Sequence, residues 1–200
     1  MYTPPLLDAS LRDNYKKLET RNSIMVTLIS NRITLREFTR DDFEEVHQYG
    51  SDPEVVQFMP WGPNTKAETR RFIERNIRAQ IVKPRTSYEL AITLDGRVVG
   101  GCGITIHSLS DKHAEIGYCI RREMWRRGIG TDVAGMLIQY GFRDLGLHRI
   151  TAKCDTENTG SYRIMEKNHM QREGILREEK NIRGKWRDSY LYSILEYEWK

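Results

Sequence analysis

The chain has 200 residues, 32 of them Lys or Arg and 28 Asp or Glu, for a formal net charge of +4. That length suits one sizeable core better than two, and the interspersed acidic residues make the small positive surplus a weak argument for a nucleic-acid partner. No run approaches the roughly 18 apolar residues of a membrane-spanning helix. The N-terminus, with Asp8, Arg12, Asp13, Lys16 and Lys17, has no signal-peptide core, so the expectation is a soluble cytoplasmic protein with no membrane partner.

Residues 1–24 show no clean period and read as an N-terminal extension, with Met25 fitting an alternative start; residues 25–200 read as the domain. Residues 32–38 form a strand-like run. Thr39 or Asp41 caps a helix to about Tyr49. Thr65-x-x-Glu68 is a capping box that starts a second helix, to about Gln80. Between the helices, residues 50–64 hold Asp52-Pro53 and Phe58-Met59-Pro60-Trp61-Gly62-Pro63, too rich in Pro and Gly for a regular element.

Residues 88–93, 98–106 and 114–120 read as a three-strand meander with a turn at Asp95-Gly96. Residues 130–145 have helical spacing at Val133, Leu137, Ile138, Tyr140 and Leu145, and Gly146 is placed to end that helix at positive φ. Residues 149–154 then form a strand, 161–168 a helix, 171–178 a strand and 186–197 a last strand after a turn at Asn181-Ile182-Arg183-Gly184. The order is that of one α+β domain with a largely antiparallel sheet. Cys102, Cys119 and Cys154 each fall in a strand-like run without C-x-x-C spacing, so buried thiols are expected rather than disulfides or a metal site.

The most informative stretch is Glu115-Ile116-Gly117-Tyr118-Cys119-Ile120, followed by residues 121–125, then Arg126-Arg127-Gly128-Ile129-Gly130-Thr131 at the start of a helix. Unpaired amides and the helix dipole make such a terminus an anion site, and Gly128 and Gly130 remove Cβ atoms from its approach. The run lacks the Gly-Lys-Ser/Thr ending of a P-loop and the three spaced glycines of a dinucleotide fingerprint.

This run, together with Gly146-Leu147-His148-Arg149-Ile150 and Asp155-x-Glu157-Asn158-Thr159-x-Ser161-x-Arg163, resembles the GNAT acetyltransferases of the Rim type. The resemblance extends over most of residues 32–198, including Leu35-Arg36-Glu37-Phe38, Trp61-Gly62-Pro63 and Arg172-Glu173-Gly174-Ile175-Leu176-Arg177. It implies the GNAT fold: a mixed, mostly antiparallel sheet of about seven strands flanked by helices. The strands at 114–120 and 149–154 would splay into a V that takes the pantetheine of acetyl-CoA along the main chain of Tyr118, Cys119 and Ile120. The pyrophosphate would sit on Arg126, Arg127, Gly128, Ile129, Gly130 and Thr131. Trp125 stands where the fold more often has Gln or Arg, as in the Rim-type branch.

Asn158 and Ser161 match the family's N-x-x-S element, which would put an amide near the donor and a hydroxyl able to protonate the departing thiolate; both residue types also cap helices. Glu115 is the favoured base for the attacking amine, with an ion-pair role on the sheet as its alternative. Glu178 and Glu179 lie in a region where some relatives keep a base, and a solvated charge run fits them as well. His169 replaces a glycine common in relatives and fits a surface turn. Phe58, Met59 and Trp61 wall an acceptor pocket or simply pack their loop. Cys119 as an acyl-accepting nucleophile lacks a neighbour that would lower its pKa.

The implied reaction is acetyl transfer from acetyl-CoA to a primary amine, without a metal. The acceptor is a protein N-terminus, as of a ribosomal protein, or a small amine such as an antibiotic, polyamine or amino acid. A non-catalytic acyl-CoA- or RNA-binding module is the alternative of another class. The aromatic-rich last strand fits a homodimer interface or a core strand.

Overall fold

A computed structural model of the chain describes residues 16–17, 25–30 and 32–199. Its strands are β1 Lys16–Lys17, β2 Thr27–Ile29, β3 Thr34–Glu37, β4 Ser87–Leu94, β5 Arg97–Ser108, β6 His113–Ile120, β7 Arg149–Asp155, β8 Gln171–Ile182 and β9 Lys185–Leu195; its helices are α1 Phe43–Gly50, α2 Lys66–Ala79, α3 Ile129–Arg143 and α4 Thr159–Lys167. The described strands form one sheet in the order β1-β2-β3-β4-β5-β6-β7-β9-β8. Every pairing is antiparallel except that of β6 with β7.

Side-chain alternation along the central strands feeds two cores. On one face Leu90, Ile92, Cys102, Ile104, Ala114 and Ile116 pack with α3, whose Val133, Met136, Leu137 and Tyr140 are buried. On the other, Ala91 and Val98 meet Phe38, Val46, Tyr49, Val56 and Ile73 beneath α1 and α2. The cavity described below lies against this second face.

The mixed, mostly antiparallel sheet read from the sequence is present, with nine described strands instead of about seven. The additions are β1 and β2, both too short to display a period. Residues 32–38 shorten to Thr34–Glu37, because Ser30 and Ile33 close a turn (Ser30 N to Ile33 O, 2.9 Å). The first helix opens with a tight 3-10 turn, Arg40–Asp42, since Asp42 accepts the Thr39 amide (2.8 Å) while Arg36 grips its carboxylate from β3 (2.6 and 2.8 Å). β8 continues to Ile182 past a bulge at Glu178, whose φ is 51°. The α2 capping box forms as read, with the Thr65 amide and hydroxyl on Glu68 and the Glu68 amide on Thr65. Gly146 sits at φ 62° beyond α3, and His169 occupies a turn at φ 60°. The expected N-terminal extension lies outside the described residues apart from Lys16–Lys17, which pair with β2.

The parallel ladder is short. His113, Ala114 and Glu115 pair with Arg149, Ile150 and Thr151, and the remaining residues of both strands have no cross-strand partner in each other. β7 turns instead to β9, which it pairs along its whole length, so a gap opens in the sheet beyond Glu115. No helix among the described residues is long and apolar enough to cross a membrane.

Candidate active site

The gap belongs to a cavity of about 1440 Å³ lined by residues of β4–β7, α1, α2, α4, the start of α3 and the loop between α1 and α2. On its β6 wall the backbone alternates in direction. Arg121 N donates to Val99 O (2.9 Å), and Cys119 faces Gly101 two residues earlier, so the Cys119 main chain turns to β5 and that of Tyr118 and Ile120 turns to the gap. The Ile120 carbonyl is already engaged, by the Trp125 indole N–H at 2.7 Å. Of the three expected main-chain positions, Tyr118 and Ile120 therefore face the opening and Cys119 does not.

At the next turn of the chain, Gly128 is the N-cap of α3 at φ 78°, with no side-chain cap. The amides of Ile129, Gly130 and Thr131 thus have no intrahelical acceptor and aim outward. Gly128 is required by its φ, and a Cβ there would stand 3.2 Å from Arg32 Nη2. Gly130 has a different reason from the close phosphate approach expected of it: its Cβ would lie 2.5 Å from Ile164 Cδ1, so it lets α3 pack on α4. Arg32 reaches this loop from the start of β3, holding Asp132 at 2.7 Å and the Arg127 carbonyl at 3.0 Å. It offsets the one acidic charge in the first turn of α3. Its partners lie 95 and 100 residues away in sequence, and no local signal marked it.

On α4, Asn158 caps the helix by accepting the Ser161 amide (3.1 Å), the alternative reading of that residue. It also lines the cavity. The Ser161 hydroxyl lies 3.2 Å from the Tyr118 hydroxyl, which also reaches the Ser161 carbonyl. Burial raises the Tyr118 phenol above its ordinary range, against the pull of Ser161, so it stays protonated. The sequence marked Tyr118 for its main chain only. Cys119 is pushed up to about 12 by burial, which leaves no thiolate for acyl capture.

Of the three carboxylates expected as bases, Glu115 and Glu179 are paired. Lys153 reaches Glu115 at 3.2 Å and Glu179 at 2.7 Å, and His107 stands 3.7 Å from Glu115. Burial alone would lower the Lys153 pKa, but the Glu179 hydrogen bond and the Glu115 charge raise it, so the ammonium persists. Burial acts to raise Glu179, and hydrogen bonds from Lys153 and Ser189 hold it below its ordinary value. Glu178 is exposed on its bulge. Phe58, Met59 and Trp61 line the same cavity. Their loop is clamped by Arg183 from the β8–β9 turn, which donates to the carbonyls of Gly62 (2.8 Å) and Val56 (3.0 Å).

Residues 32–171 match the acetyltransferase (GNAT) domain family. The chain belongs to the GNAT family. It is 33% identical to the uncharacterized N-acetyltransferase p20 of Bacillus licheniformis, over 88% of this chain and 99% of that protein. It superposes on the crystal structure of a GNAT-family acetyltransferase from Bacillus anthracis with a TM-score of 0.76 at 32% identity, covering 86% and 99% of the two chains. More distant matches are the spermidine N(1)-acetyltransferase of Escherichia coli K12, 23% identical over 85% and 89% of the chains, and RimL, a ribosomal L7/L12 α-N-protein acetyltransferase in complex with coenzyme A, TM-score 0.75 at 20% identity over 85% and 97%. The GNAT chain described here is therefore an N-acetyltransferase. Among its described residues no cluster of His, Cys, Asp or Glu has the makings of a metal site.

Proposed function

We propose that this N-acetyltransferase binds acetyl-CoA in the gap between β6 and β7 and acetylates a primary amine that enters from the α1–α2 side. The observation that carries the reading is the gap itself: backbone groups of Tyr118 and Ile120 without a β7 partner, continuous with the uncapped amides of Ile129, Gly130 and Thr131. That donor and acceptor set suits an amide-bearing arm ending in a pyrophosphate. Arg126 and Arg127 add positive charge beside the same loop. When bound, the donor supplies a thioester carbonyl to an amine.

The chain's own residues then have simple tasks. Tyr118, protonated and held against Ser161, donates a proton where sulfur departs. Asn158 fixes the first turn of α4 and with it the position of Ser161. Phe58, Met59 and Trp61 present apolar surface to the acceptor, and Arg183 keeps their loop in place.

The acceptor we favour is a protein N-terminus, such as that of a ribosomal protein. The cavity, about 1440 Å³, has room for more than the donor's thioester end, and an α-amine with pKa near 8 needs less help to lose its proton than a lysine. A polyamine is the second reading, favoured by Glu54, Glu68 and Glu89 among the residues that line the cavity. CoA release with the peptide amide Ser-Ala-Ala-Tyr and with spermidine as acceptors separates them: faster turnover of the peptide supports the first, of spermidine the second. Release with neither, nor with any other amine of a panel, contradicts the reading.

A further inference from the structure

Glu115 and Glu179 are held by Lys153 and Glu178 does not line the cavity, which leaves the site without a free proton acceptor at any of the three expected places. A fourth carboxylate was not marked by any motif. Glu89 lies in the middle of β4, directly across the ladder from Gly103, which in turn faces Gly117 on β6. Residues paired in this way direct their side chains to the same face of the sheet, here the face under α1 and α2.

Gly103 and Gly117 leave that row bare. A Cβ on Gly103 would lie 2.7 Å from the Glu89 carboxylate carbon and from both its oxygens, so the carboxylate rests on the Gly103 backbone and leans toward β6. A Cβ on Gly117 would meet nothing within 4 Å. The row therefore ends in open cavity at the residue beside Tyr118, where the gap begins. Glu89 lines this cavity, and its carboxylate makes no hydrogen bond or ion pair with any other described residue. An otherwise unpartnered carboxylate in so enclosed a place is unusual, because burial without a partner disfavours its charge.

We propose that Glu89 is the general base of the reaction, taking a proton from the acceptor ammonium across the Gly103–Gly117 row. This rests on the reading of the gap as the acetyl-CoA site. Of the three ammonium protons, one passes to a Glu89 oxygen and leaves a nitrogen lone pair. The N–C bond forms as the C–S bond breaks. A second proton ends on sulfur by way of Tyr118 and Ser161, and the third stays on the amide.

The surroundings tune Glu89 to this task. Burial raises its carboxyl to about 7, with the Arg75 charge on α2 acting the other way. Tyr49 on α1 shares this face, and Cys102 of β5 lies on the opposite one beside Leu90; both are driven further from ionisation, by burial and in part by the Glu89 charge itself. On β5 and β6 the neighbours His107 and Glu115 are engaged with each other and with Lys153. The base form thus appears as pH rises through about 7, below the pKa of the amines it serves.

The test compares wild type with Glu89→Gln, which keeps shape and removes the base, using the Ser-Ala-Ala-Tyr amide and spermidine as acceptors. Acetyl-CoA binding is measured separately by thermal shift. The expected result is unchanged acetyl-CoA binding, kcat/KM lower by about a hundredfold or more near neutral pH, and loss of the acid limb centred near 7. Titration of the side-chain carboxyl by carbon NMR, assigned by its absence in the variant, reads the group without any acceptor. Activity within about threefold of wild type, or a Glu89 carboxyl that titrates in the ordinary carboxylate range, overturns the proposal. A wild-type protein that does not bind acetyl-CoA overturns the reading beneath it, and the two failures are told apart by the binding measurement.

Discussion

A single dihedral separates the two glycines of the α3 loop. Gly128 sits at φ 78° beside Arg32, whereas Gly130 is packed 2.5 Å from where Ile164 would meet a Cβ. Gly128→Val forces a branched residue into left-handed backbone at the site, so we expect acetyl-CoA binding to weaken at least tenfold with the fold retained. Gly130→Val overfills the α3–α4 contact, and the expected outcome is a loss of about 1–3 kcal/mol of stability in urea unfolding. Both glycines stand out in the sequence, but the difference between them does not, because it is set by contacts made after folding. Tyr118→Phe keeps the ring and removes the hydroxyl that meets Ser161. Its kcat is expected to fall by about a hundredfold with acetyl-CoA affinity unchanged, as rapid-quench kinetics with excess donor would show.

Elements are legible where their signals are short-range. Thr65 and Glu68 form the expected box at the start of α2, and Thr65→Ala is expected to cost about 1 kcal/mol in thermal or urea unfolding. The cavity loop is another matter. Residues 50–64 read as a loop, but its anchor, Arg183, comes from 121 residues further along the chain. Arg183→Ala is expected to raise the acceptor KM several-fold while leaving acetyl-CoA binding intact. An equal effect on both ligands would mean a general loosening instead. Glu89, Arg32 and the Lys153 bridge belong to the same class. Each depends on which strands become neighbours and in what register, and a one-residue slip would send its side chain to the opposite face.

At the scale of the molecule, ion pairs tie strands of the sheet together. Arg85 donates to both oxygens of Glu37, which is fully buried, and locks β3 to β4. Arg85→Met is expected to destabilise by about 3–5 kcal/mol, since the buried carboxylate keeps only the Val26 amide and loses its counter-charge; adding Glu37→Met should recover much of that loss. Across β7–β9–β8, hydrogen bonds from Arg149 and then Ser193 hold Glu173 down at about 2. A depressed carboxylate pKa means the stabilisation is complete above the unfolded value, about 4.3, and is lost as pH falls through the folded one. Unfolding midpoints should therefore drop between about pH 4.5 and 2, and Glu173→Gln should flatten that part of the profile.

Every catalytic role assigned above requires that the gap between β6 and β7 hold acetyl-CoA. Thermal unfolding of wild type and Gly128→Val across an acetyl-CoA titration tests this most directly, because a ligand confined to the native state adds about 2.7 kcal/mol at a hundredfold excess over Kd. The expected result is a saturable rise in Tm for the wild type and little or none for the variant at the same concentrations. A well-folded wild-type protein whose Tm does not move with acetyl-CoA would contradict the assignment of the site.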